Sequence, residues 1–167
     1  MRSFVIFNMS VLTVLLFGLN ANSQSPSLSD AALKGSYNCK LTGYTLPATS
    51  TDPFTQTSSG DITLVADGAG HWTSGSWDDR IDSSDIHASC KFQLSSGTYS
   101  IGADGTGAIA EKWQLNVGAS TPNCAQFSLG ARDAPNVGQV IITDGTGATF
   151  YTASLNQFAV LAAICTR

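Results

Sequence analysis

The sequence predicts an all-β domain, with an up-and-down antiparallel barrel of about eight strands as the leading architecture and a two-sheet β-sandwich as the alternative. Charged residues are only 12% of the chain. Glu111 is the one glutamate, so exposed positions that would carry helix formers carry Ser, Thr and Gly instead. An Asp-Gly phrase also occurs three times, as VADGAGH at 65–71, GADGTGA at 102–108 and ITDGTGA at 142–148, each time between strand-like runs. Asp-Gly in that setting is a hairpin signal, because the turn needs a positive φ that glycine adopts without steric cost. Closure into a barrel then removes the exposed edges that an open sheet has to protect.

At the N-terminus, Arg2 precedes an apolar run from Phe4 to Leu19 interrupted by Asn8, Ser10, Thr13 and Gly18, and NANSQS follows. This is the layout of a secretory signal peptide, with cleavage expected after Ser23. The run is too short and too interrupted for a spanning helix, and no cysteine lies between Leu15 and Asn38 to accept a lipid, so no stable membrane anchor is expected. The expectation is one secreted or periplasmic domain over 24–167.

Strands are expected at 36–45, 58–66, 70–81, 90–103 with a break at Ser95-Ser96-Gly97, 107–117, 124–131, 137–143 and 147–155. Pro-, Ser-, Thr- and Asp-rich connections are expected at 46–57, 78–89 and 118–123. The final FAVLAAIC is apolar at both parities, so periodicity leaves a ninth strand and a short closing helix both open. Calcium loops are a second way to use aspartate and glycine, but each copy of the repeated phrase has one carboxylate rather than a run of oxygen ligands, which favours turns.

Four cysteines in an exported domain read as two disulfides. Three pairings are possible; Cys39–Cys165 and Cys90–Cys124 are favoured because first and last strands become neighbours when a sheet closes. No CxxC pair supports zinc, and His71, Asp79, Asp82 and His87 have no recognised metal spacing, so no metal or cofactor is expected.

Removing Arg2 from the eight Lys and Arg leaves seven against twelve Asp and Glu. That balance argues against nucleic acid, which needs a basic surface. A small-molecule ligand is the expected partner and a monomer the expected state.

The candidate ligand contacts are Tyr37, Trp72, Trp77, Glu111, Trp113 and Phe127, with Leu41 and Phe150 as further apolar lining. Glu111 alternates onto the face of Ile109, Trp113 and Leu115, which places a carboxylate inside a barrel, where it must be paired, hydrogen-bonded or protonated. An internal ion pair with Arg80 or Arg132 is the plainer expectation for it. Trp72 and Trp77 have opposite parity, so a regular strand sends one in and the other out. Serines are plentiful, but no G-x-S-x-G elbow occurs. Sugar hydrolysis would need opposed carboxylates such as Glu111 and Asp78, and a hydrolase or isomerase would pair Glu111 with a histidine. A third class is a structural or surface-interaction domain, whose sign would be an exposed patch around Trp77 or Phe54.

The pieces LKGSY at 33–37, ADGAGHWTSGSWD at 66–78 and SGTYSIGADGTGAI at 96–109 resemble a loose group of exported bacterial proteins that look like small lipocalin-like or allene-oxide-cyclase-like β-barrels. The resemblance covers about half of the mature chain and rests on turn and strand residues. It implies a barrel fold and no assigned activity, and it carries over no catalytic residue.

Overall fold

The computed structural model describes residues 27–45, 56–83, 86–125, 136–155 and 159–167. The expected signal segment, Phe54, Phe127 and Arg132 lie outside them. The strands are β1 (Lys34–Thr45), β2 (Gln56–Asp67), β3 (Trp72–Asp82), β4 (His87–Ile101), β5 (Thr106–Leu115), β6 (Asn136–Ile142), β7 (Thr149–Leu155) and β8 (Ala159–Thr166). Each pairs antiparallel with the next, and β8 returns to pair with β1. The sheet is therefore a closed eight-stranded barrel in chain order, and the sandwich alternative falls.

All three Asp-Gly copies are turns at one end of this barrel. Gly68, Gly105 and Gly145 have φ of +80°, +82° and +68°. The aspartates stitch the turns: Asp67 accepts from the Ala69 and His71 amides, Asp104 from Thr106, and Asp144 from Thr146, Gly147 and Thr149. Each carboxylate serves its own backbone, as the turn reading requires.

The segment before β1 closes this turn end. Leu33 is fully buried, Asp30 Oδ1 accepts from the Ile101 amide at 2.6 Å, and the Leu28 amide donates to Ala103 O at 3.3 Å. Tyr99 donates its hydroxyl to Leu33 O at 2.7 Å and accepts from the Gly68 amide at 2.9 Å. Tyr37 donates to Gly147 O at 2.8 Å. Above this floor Tyr37 meets Phe150 edge-on with ring centroids 4.9 Å apart, and Trp72 lies 4.7 Å from Tyr99 and 6.0 Å from Phe150. Aromatic contacts of this kind contribute about 0.5–1.5 kcal/mol each beyond area burial.

The opposite end, where β1, β3, β5 and β7 finish, is the loop end. There the inward Cys90 binds Cys124, and Thr121 and Ser89 exchange hydrogen bonds, drawing the 3₁₀ turn Pro122–Cys124 against β4. Cys39 and Cys165 are register partners on β1 and β8 and form the second disulfide, so the favoured pairing is the observed one.

Three strand expectations change. The strand placed at 124–131 does not begin there, since Cys124 ends a 3₁₀ turn and Ala125 is helical at φ −58°, ψ −32°; residues 126–131 lie outside the described residues. The apolar C-terminal run supplies the eighth strand instead. Its two apolar faces have different settings: Ala159, Leu161, Ala163 and Cys165 enter the core, while Val160 and Ile164 are exposed beside Val137, Ile141 and Tyr151. The acidic stretch 78–82, where the expected strand 70–81 and the expected connection 78–89 overlap, is strand, so it alternates between solvent and interior.

Candidate functional site

Polar residues enter the barrel mainly on the loop-end side. Gln56 and Ser58 open β2 on its inward face, Asp79 faces inward from β3, Ser154 from β7 and Glu111 from mid-β5, and all five are buried. Beside them stand Trp77, Phe92 and Trp113. Trp77 stacks on Phe92, its register partner on β4, at 4.7 Å and meets Trp113 edge-on at 5.8 Å.

A β-bulge explains why both Trp72 and Trp77 are inside. Val65 pairs with Ser74 but Ala66 pairs with Trp72, so β3 carries one extra residue, Thr73, and its inward parity switches. The expectation that one of the two faces out is therefore corrected. A second bulge between Leu94 and Ser96 interrupts β4 at the expected break. Gly97 follows it, where an added Cβ would lie 2.7 Å from Trp72 Cδ1, so the ring takes the space a side chain would fill.

The two interior carboxylates have different partners. Glu111 Oε2 accepts from Trp113 Nε1 at 3.1 Å. Asp79 Oδ1 accepts from Ser58 Oγ at 2.6 Å, whereas Asp79 Oδ2 has no partner among the described residues. Burial pushes each acid up to about 7, opposed at Glu111 by the Trp113 hydrogen bond and at Asp79 by those from Ser58 and the Arg80 amide.

Two further buried atoms, Gln56 Oε1 and Trp77 Nε1, also lack partners among the described residues. Trp72 Nε1 is a fourth, but it lies among the rings toward the turn end. Unpartnered buried polar atoms are costly, by about 1–3 kcal/mol each, so each of them calls for an explanation.

The sequence-derived candidates divide accordingly. Trp77, Glu111 and Trp113 come together in the loop-end interior. Tyr37 and Trp72, with Phe150, build the closed floor. Leu41 is buried in the core, and Phe127 lies outside the described residues. The ion pair expected between Glu111 and Arg80 does not form, because Arg80 is exposed while Glu111 faces in. Asp78 also faces out and pairs with Lys91 at 2.7 Å, which separates it from Glu111. His71 and His87 lie at opposite ends of β3, exposed and bound to Asp67 and Asp82, so neither reaches Glu111, and His71, Asp79, Asp82 and His87 do not converge on a metal site. Trp77 is buried, so among the described residues it contributes to no exposed patch.

The sequence singles out Asp79 only as a metal-ligand candidate and gives no sign of Gln56, Ser58, Phe92 and Ser154. The available signal is the parity of Trp77, Asp79 and Ile81 within one strand, which places Asp79 beside two apolar neighbours. Compared with known proteins, the chain matches no protein-family model, no curated protein and no solved structure.

Proposed function

We propose that the protein is a non-enzymatic binding barrel that takes a small amphipathic molecule into the loop-end half of its interior. The observation that carries this reading is that Asp79 Oδ2, Gln56 Oε1 and Trp77 Nε1 are buried without partners among the described residues, in an interior that also holds the ring cluster of Trp77, Phe92 and Trp113. Apolar walls with a few convergent polar groups are the usual make-up of a small-molecule site, and eight strands leave room for side chains or one small ligand. The turn end is filled and hydrogen-bonded to the segment before β1, so access is assigned to the loop end. The two disulfides suit an oxidising environment. Export to a secreted or periplasmic location, suggested by the N-terminal sequence and by the resemblance to exported barrels, belongs to the same proposal.

The surface-interaction alternative has separate support in the uncharged outer strip of Val137, Ile141, Tyr151, Val160 and Ile164. The unpartnered interior atoms favour the binding reading over it.

The test is a nuclear magnetic resonance titration of the three indole N–H signals with small aromatic alcohols such as benzyl alcohol and 2-phenylethanol. The expected result is saturable movement of the Trp77 and Trp113 signals with the Trp72 signal nearly fixed. Movement of none of them to the solubility limit of the probes, or of Trp72 alone, would overturn the loop-end site.

A further inference from the structure

Among the described residues, the charges inside the barrel are all of one sign. Asp79 and Glu111 face the interior, whereas Lys34, Lys40, Arg80, Lys112 and Arg167 are exposed and Lys91 is half-buried with its ammonium on Asp78. No described cation pairs with either interior acid. A buried carboxylate without a counter-charge is unfavourable unless it is protonated or something brings the missing charge.

The two acids are not equivalent. Glu111 is held by the Trp113 indole in the middle of β5. Asp79 lies close to the loop end, where its register partner on β2 is Gly60 and the strand ends three residues later at Asp82. Ser58 fixes one of its oxygens, and the other has no partner among the described residues. Gln56, two residues before Ser58 on the same inward face of β2, adds a second acceptor without a partner among the described residues.

Two acceptors ask for a group with several donors, and an ionised carboxylate can only accept. Trp77, two residues before Asp79 on the same inward face of β3, stacks on Phe92, and aromatic faces attract a desolvated cation. A carboxylate ligand would add a third negative charge. An alcohol would give one donor and leave the interior charge unbalanced. A divalent metal ion would need more oxygen ligands than one carboxylate, one amide and one hydroxyl supply, and the ring wall offers none.

We infer that the interior site is selective for an organic ammonium ion, with Asp79 Oδ2 and Gln56 Oε1 accepting from its N–H groups and the Trp77–Phe92 pair covering its carbon skeleton. The inference rests on the proposed interior binding site and names the chemical class of its ligand.

The experiment compares matched probes on the intact protein. Methylammonium and 2-phenylethylammonium are titrated beside 2-phenylethanol, phenylacetate and calcium, with the indole signals and calorimetry as readouts and with Asp79→Asn as the variant. Folding of the variant is checked by its amide spectrum. The expected result is 2-phenylethylammonium binding at least about ten-fold more tightly than the alcohol, the factor that one hydrogen bond to a charged group supplies, and a fall to near the alcohol's affinity in Asp79→Asn. Equal affinity of amine and alcohol, or an amine preference that survives Asp79→Asn, overturns the inference while leaving interior binding in place. Calcium moving the same signals in preference to the amines overturns it in favour of a metal site. Failure of every probe overturns the inference and the binding site together. The comparison of amine with alcohol on the unaltered protein requires no variant to fold.

Discussion

Replacing Cys39 and Cys165 together by alanine is expected to lower the unfolding free energy by about 3–5 kcal/mol, more than any other substitution proposed for this barrel. The bond spans 126 positions, against 34 for Cys90–Cys124. In the chain-entropy account, that difference in loop length makes it worth about 1 kcal/mol more than the shorter bridge. It also ties β8 to β1, the one pair of neighbouring strands that is not consecutive in the chain. Both sulfurs are buried in the core, so alanine adds a cavity penalty to the lost cross-link. Urea unfolding measures the effect, with the Cys90–Cys124 double alanine variant as comparison. Equal stability of the two variants and the unaltered protein would mean that the β1–β8 hydrogen bonds close the barrel without help from the cross-link.

The second large effect is on pH dependence. Asp79 and Glu111 hold their protons more tightly in the folded chain, up to about 7, than in the unfolded chain, where ordinary carboxyl values apply. Below the unfolded value both states carry the protons and the fold incurs no charge penalty. Between the two values the unfolded chain releases protons that the folded chain keeps, so each group lowers stability by up to about 1.4 kcal/mol per pH unit. The loss is complete as pH rises through the folded value. Glu111→Gln, whose amide oxygen can still accept from Trp113 Nε1, should therefore match the unaltered protein near pH 4 and exceed it by on the order of 2–3 kcal/mol at pH 8. Turn carboxylates act in the opposite sense. Asp67 and Asp104 are held below their ordinary value, first by amide hydrogen bonds from Ala69 and Thr106 respectively, and their contribution is lost as pH falls through those lowered values. Thermal melts of both proteins from pH 3 to 9 check this. Parallel curves would show that Glu111 does not change its protonation between pH 4 and 8.

Much of the architecture is legible in the chain because its signals are local. The Asp-Gly turns fix three hairpins by backbone conformation alone, and four cysteines in a closed sheet have one pairing that joins the first and last strands. Sequence reading fails where distant packing decides. FAVLAAIC is ambiguous because one of its faces meets the core and the other lies in an exposed apolar strip, so both are apolar. The strand expected at 124–131 fails at its start because the Cys90–Cys124 bond and the Pro122 turn hold that stretch against β4, which local propensity does not register. Trp72 and Trp77 mislead because one extra residue in β3 switches the parity, and the bulge depends on the pairing partner. Within the candidate site, Glu111 stands out as a lone glutamate on an apolar face. Asp79 does not, because its neighbours Asp78, Arg80 and Asp82 make the segment look like a solvated loop until β3 is seen to run through it.

Native mass spectrometry of the protein purified from its native source, before and after denaturation, tests the binding account most directly. The account predicts a discrete extra mass on the folded protein that is released on unfolding and retained less by Asp79→Asn. A folded protein that carries only its own oxidised mass, and gains none when the gentle conditions are repeated with saturating 2-phenylethylammonium or 2-phenylethanol, would contradict it.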